Sequence, residues 1–204
     1  MNKKNYTIAQ ILPALNTGGV ERGVVEISKA VKSPTICALT RAVEKDIDAV
    51  TISTPDHVHA PAAVYAMDRN KHVYVQKPLT HNIYEARLLT ELARENKVVT
   101  QMGNQGASNP DQIQIQKWIN ENMIGTISKV NVWTNRPVWP QGIQMPKPDA
   151  SLKPETLNWD QWLGPSDETP FVPNMHPFNW RGWWNFGTGA LGCLLYTSPS
   201  PRDS

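Results

Sequence analysis

The sequence predicts an α/β fold: a partial Rossmann-like parallel sheet followed by the start of an α+β domain with an antiparallel sheet. Two observations carry this expectation. Between Ile47 and Gly103, short apolar runs alternate with amphipathic helical patterns, which is the β-α-β rhythm of a parallel sheet. All eight tryptophans lie between Trp118 and Trp184, and most of the prolines lie beyond residue 130, so the composition shifts near residue 105.

Taken in order, Tyr6 to Pro13 read as a strand, Asn16-Thr17-Gly18-Gly19 as a tight loop, and Val20 to Val31 as a helix with Val24, Ile27 and Val31 on one face. Glycines ahead of a helix let backbone N–H groups approach an anion, so Gly18, Gly19 and Gly23 are candidates for a phosphate cradle. A tight turn feeding a helix explains them equally well. The spacing is not G-x-G-x-x-G, and no acidic residue ends a second strand where a ribose hydroxyl would be held. The words QILPALNTGGVERGVVEISKAV resemble the opening strand, loop and helix of family 4 glycosyltransferases over residues 6 to 31, which implies a nucleotide-sugar ligand.

The middle of the chain is regular. Ile47 to Thr54 is a continuous apolar run, expected as a strand buried on both faces. A helix from about Val58 to Asn70 would bury Ala60, Ala63, Val64 and Met67. His72 to Gln76 forms the next strand, Ile83 to Asn96 a helix with Ala86, Leu89 and Ala93 inward, and Val98 to Gly103 a third strand. Ligands of such sheets sit outside the carboxyl ends of the strands. Those ends are Thr54-Pro55, Gln76-Lys77-Pro78 and Gly103-Asn104-Gln105. Lys77 stands out, because an amine at a strand tip in a partly dry crevice is able to exchange a proton with a substrate hydroxyl. Pro78 restricts the backbone of Lys77 to an extended conformation and fixes the direction of the chain after the strand.

TPDHVH at Thr54 to His59, HVYVQKPL from His72 and MGNQG from Met102 together resemble the Gfo/Idh/MocA oxidoreductase family, from roughly residue 44 to Gly192. That resemblance implies a Rossmann domain binding NAD or NADP, a sheet domain forming the substrate wall, and hydride transfer on a sugar or polyol. Intact members are commonly homo-oligomeric. Carried over, the resemblance sets Ser53, Thr54, Pro55, His59, Gln76, Lys77 and Gln105 around the cofactor. Lys77 becomes the catalytic residue, with Trp180 and Arg181 beside it at the substrate. Gln76 stands where the family usually has glutamate, and it keeps both donor and acceptor capacity. His57 and His59 lie two apart near Asp56, but a helix start does not present them on a common face with a third ligand, so no metal is expected.

Beyond Gln105, Pro110 to Asn122 reads as a helix with Ile113, Ile115, Trp118 and Ile119 at helical spacing, and Ile127 to Thr134 as a strand. Trp159, Trp162, Trp180, Trp183 and Trp184 offer flat faces to a sugar ring, with core packing the expected role for most of them. HPFNWRGWWNFGTGALG resembles a branch of the same family in which an aspartate and a histidine follow and join the lysine at the active site. Here Gly192 passes directly to CLLYTSPSPRDS, which resembles a translated sequencing adapter. The expected divisions are a glycosyltransferase-like unit over 1–34, a partial NAD(P)-binding domain over 35–106, a truncated substrate domain over 107–192 and a disordered or artefactual tail over 193–204. Residues 18 to 54 look too short for a dinucleotide fingerprint plus a further strand and helix, since a βαβ unit takes about 30 residues. A composite, truncated and inactive chain is therefore expected.

Bulk properties set outer limits. Twenty basic and eighteen acidic residues among 204 leave a formal charge of +2, and no basic cluster is dense enough to track a nucleic-acid backbone. No run approaches the roughly 20 apolar residues a membrane helix needs. The start MNKKNYTIAQILPAL is too quickly interrupted by Asn16 and Thr17 for an export signal, so a cytoplasmic location is expected. Cys37 and Cys193 make no disulfide framework.

Overall fold

The structure is a computed structural model that describes residues 8–11, 35–37, 47–131, 133, 135 and 137–194. Five strands, β1 (Ile8–Ile11), β2 (Thr35–Cys37), β3 (Ala49–Ile52), β4 (His72–Gln76) and β5 (Thr100–Gly103), form one sheet. Their order is β2-β1-β3-β4-β5, and every pairing is parallel. Helix α1 (Asp56–Met67) carries the chain from β3 to β4, and α2 (Ile83–Glu95) carries it from β4 to β5. The Rossmann-like parallel sheet expected from the apolar rhythm is present.

One expectation needs correction. Strands β1 and β2 precede β3, and residues 12–34 and 38–46 between them lie outside the described residues. Strand β3 is not buried on both faces. Val50 and Ile52 are buried, whereas Ala49 and Thr51 are half-buried, and β4 repeats the alternation with Val73 and Val75 inward. The strand period of two turns Thr51, Tyr74 and Gln76 toward the opposite face.

The core lies between the sheet and the two helices, where Val50, Ile52, Val73 and Val75 meet Ala63, Ala66 and Met67 of α1 and Leu89 of α2. Val64 and Ala93 pack against this cluster while only partly buried. Helix α1 starts two residues before the expected Val58, at its N-cap Pro55, whose φ of −59° already suits a helix entry. Helix α2 starts with a capping box in which Asn82 Oδ1 accepts the Glu85 N–H, while Glu85 Oε2 accepts the Asn82 N–H. Strand β5 starts at Thr100 rather than Val98, and Val98 serves the core instead.

Helix α3 (Pro110–Asn120) forms as the pattern predicts, with Pro110 in its first turn and Asn109 as its cap. None of its residues is buried, and Ile113, Ile115, Trp118 and Ile119 are 44 to 62% exposed. The strand expected over Ile127 to Thr134 is absent from residues 127–131 and 133, while Val132 and Thr134 lie outside the described residues. Ile127, Val130 and Trp133 are exposed, and a lone extended segment has no ladder to make it a strand. No antiparallel pairing occurs among the described residues.

A second core gathers between Trp159 and Phe186. Trp159 and Trp162, on the short helix α4 (Trp159–Leu163), stack with ring centroids 4.8 Å apart, and Phe171, Met175, Trp180, Trp183 and Phe186 close around them. The last described element is α5 (Gly189–Leu194). The glycine loop of Gly18, Gly19 and Gly23, the helix expected over Val20 to Val31 and the tail beyond residue 194 lie outside the described residues.

Candidate functional site

Strand order fixes where a ligand would sit. Neighbours reverse between β1 and β3, and open parallel sheets bind ligands outside the carboxyl ends of the strands at such a switch. Ser53 and Thr54 leave the end of β3 at that point, Gln76 and Lys77 end β4, and Asn104 follows β5. Gln76 and Gly103 are register partners, so the last two tips lie side by side. A Cβ on Gly103 would overlap both Gln76 Oε1 and Tyr74 Oη, so the glycine lets the Gln76 side chain cross the tip of β5. Lys77 is half-buried. Gln105 opens a 3-10 turn over Gln105–Ser108, and its side chain is outside what is described.

Two polar atoms at these tips are buried without a hydrogen-bond partner: Thr54 Oγ1 on β3 and Asn104 Oδ1 after β5. An unpaired buried acceptor or hydroxyl costs about 1–3 kcal/mol, which a ligand's hydroxyl or amide would recover. The tips therefore fit a polar cofactor group.

His59 holds the arrangement from beneath. It is 1% exposed, with Nδ1 2.6 Å from the carbonyl oxygen of Pro78 and Nε2 2.8 Å from that of Thr54. One ring thus spans the loops after β3 and β4. Burial pushes its imidazole below the ordinary value, against the pull of the Asp56 carboxylate and of the two carbonyls. His59, expected at the cofactor, turns both ring nitrogens to carbonyls of the loops after β3 and β4.

His57 and Asp56 face the second core instead. His57 Nδ1 is 3.1 Å from the carbonyl oxygen of Phe186 and Nε2 3.2 Å from that of Trp162, with both aromatic rings against the imidazole. Burial lowers its pKa first, and the two carbonyls oppose that. Asp56 Oδ2 accepts the N–H and hydroxyl of Thr188. The first turn of α1 is therefore a clasp between the halves, a role no local pattern signals.

Trp180 and Arg181, expected at the substrate, lie on a 3-10 turn over Asn179–Gly182. Trp180 is 5% exposed and donates its indole N–H to Pro177, and Arg181 donates to the Phe178 carbonyl with its guanidinium over the Trp180 ring. Trp159, Trp162 and Trp183 are buried as well, leaving Trp184 exposed among the five.

Known proteins match this architecture. The sequence model of an oxidoreductase family with an NAD-binding Rossmann fold, Gfo/Idh/MocA, covers residues 22–104, and that of its C-terminal α/β domain covers residues 109–197. The chain belongs to the Gfo/Idh/MocA oxidoreductase family. The match begins at Arg22, earlier than residue 44.

Levoglucosan dehydrogenase of Pseudarthrobacter phenanthrenivorans is 30% identical over 84 residues, 41% of this chain and 22% of that one. The NAD(+) scyllo-inositol 2-dehydrogenase of Bacillus subtilis is 32% identical over 79 residues, 39% and 23% of the two chains. These matches span about a quarter of the relatives' length. A crystal structure of an NAD-binding protein from Listeria innocua superposes with a TM-score of 0.48 at 19% identity, over 60% of this chain and 42% of that one. Over 34 residues, 17% of this chain, the sequence is also 71% identical to 7% of the 2-isopropylmalate synthase of Parabacteroides distasonis.

Among the described residues, no three metal-ligating side chains gather, and no helix is long and apolar enough to cross a membrane.

Proposed function

We propose that the strand tips hold NAD or NADP and that the chain serves hydride transfer on a sugar or polyol, with Lys77 as the residue that meets the substrate hydroxyl. The orphaned Thr54 Oγ1 carries this reading, because a buried hydroxyl without a partner at the switch point of a Rossmann sheet is poised for a bound ligand. Ser53, Thr54, Pro55, Gln76 and Asn104 would line the cofactor, and Gln105 would follow them. His59 keeps the loops after β3 and β4 in register, so that Lys77 leaves β4 in a fixed direction. When bound, the dinucleotide supplies the hydride acceptor or donor; Lys77 orients the hydroxyl and exchanges its proton. The dehydrogenases of sugars and inositols among the relatives support the substrate class. Titration with NADH tests the reading: saturable tryptophan quenching is expected, retained in Lys77→Ala, whereas a flat titration contradicts it.

A second reading is that the chain joins segments of different ancestry and has no turnover of its own. The 71% identity of 34 residues to a synthase outside the oxidoreductase family favours it, since the oxidoreductase relatives reach 28 to 42%. Independent DNA reads running unbroken across residues 32–44 and past Gly192 would contradict it.

A further inference from the structure

A cleft of about 310 Å³ opens beside His57, between the start of α2 and the segments around Ser166 and Trp184. His81, Asn82 and Glu85 form one wall, and Ser166, Asp167 and Trp184 form the other. Thr54, Lys77 and Asn104 do not line it. Its size falls at the lower end of small-ligand pockets, which run from about 300 to 1,000 Å³.

The walls have a distinct chemistry. Trp184 is 70% exposed, and its ring lies 5.1 Å from that of His81 at 38°, so a large flat apolar face is held at the mouth by a second ring. His81 Nε2 is buried without a partner. Glu85 Oε2 already accepts the His81 and Asn82 N–H groups, which fixes that carboxylate in the wall, and Ser166 Oγ donates to the Asn185 carbonyl. Two carboxylates and no lysine or arginine line the cleft. Like charge therefore repels phosphate or carboxylate ligands.

We propose that this cleft is a binding subsite for a neutral sugar ring, separate from the strand tips. The indole of Trp184 takes the C–H face of the ring, as an aromatic face suits an apolar surface with polar edges. Glu85 and Asp167 accept from ring hydroxyls, and His81 Nε2 gains the partner it lacks. The lining that favours a neutral ring over an anion does not depend on dinucleotide binding.

The test is an NMR titration of full-length protein carrying 15N-indole label, with D-glucose, D-galactose and myo-inositol as probes and Trp184→Phe identifying the Trp184 signal. Saturable movement of that signal with at least one probe is expected, without NADH present. Trp184→Ala and Asp167→Ala, both at exposed positions, should weaken binding roughly tenfold, read through the probe's saturation-transfer signal, with the other indole signals unmoved by the substitution. No saturable movement with any probe overturns the proposal, as does movement with inorganic phosphate alone or undiminished binding in Trp184→Ala. NADH binding without a sugar response would overturn the cleft and leave the reading of the strand tips standing.

Discussion

The carboxylate of Asp56 accepts both the backbone N–H and the hydroxyl of Thr188, at 3.1 and 3.0 Å across 132 positions of sequence. Asp56 is 6% exposed, so water does not readily replace these bonds. Hydrogen bonds to charged groups contribute about 1.5–3 kcal/mol. Asp56→Ala should therefore lower the unfolding free energy by about 2 kcal/mol, and Thr188→Val, which removes only the hydroxyl, by about 1 kcal/mol. Urea denaturation of the two variants checks the order; equal losses would contradict it.

Acid should loosen the same junction. Burial depresses the imidazoles of His57, His59 and His176 below the ordinary 6.5. Below that pH the unfolded chain binds protons at these rings while the folded chain does not. Their contribution is thus complete above about pH 6.5 and is lost as the pH falls through the lower folded values. The urea midpoint should decline from about pH 7 toward pH 5, and His57→Gln should flatten the decline.

Helix α2 depends on its capping box. Asn82→Ala removes the acceptor of the Glu85 N–H and should cost about 1 kcal/mol in urea unfolding. Asn82→Asp keeps the acceptor and should cost little.

Much of the sheet and its helices was legible in the sequence, because Val50, Ile52, Val73, Val75, Ala63 and Leu89 keep strand and helix periods that burial alone requires. Helix α3 was legible from the same spacing, although Ile113 and Trp118 stay exposed among the described residues. Periodicity missed the clasp, since Asp56 and His57 meet Thr188, Trp162 and Phe186 only through tertiary folding. At the tips, Thr54, Gln76 and Lys77 were readable from strand ends. The part of His59 was not, because a histidine aimed at two carbonyls looks in sequence like one aimed at a ligand.

Gly103 marks how tightly the tips pack. Gly103→Ala would press a methyl against Gln76 Oε1 and Tyr74 Oη and should destabilise the fold by about 1–3 kcal/mol. Adding Gln76→Ala should restore part of that loss, a coupling that unfolding measurements on the double variant would reveal.

NADH titration of the Thr54→Val variant beside the parent tests whether a dinucleotide completes the strand tips. Removing a buried hydroxyl that has no partner should stabilise the unliganded protein by about 1 kcal/mol while weakening NADH binding roughly tenfold. Saturable binding in the parent together with these opposite effects is the predicted result. No saturable binding in the parent, or equal affinity in Thr54→Val, would contradict the account.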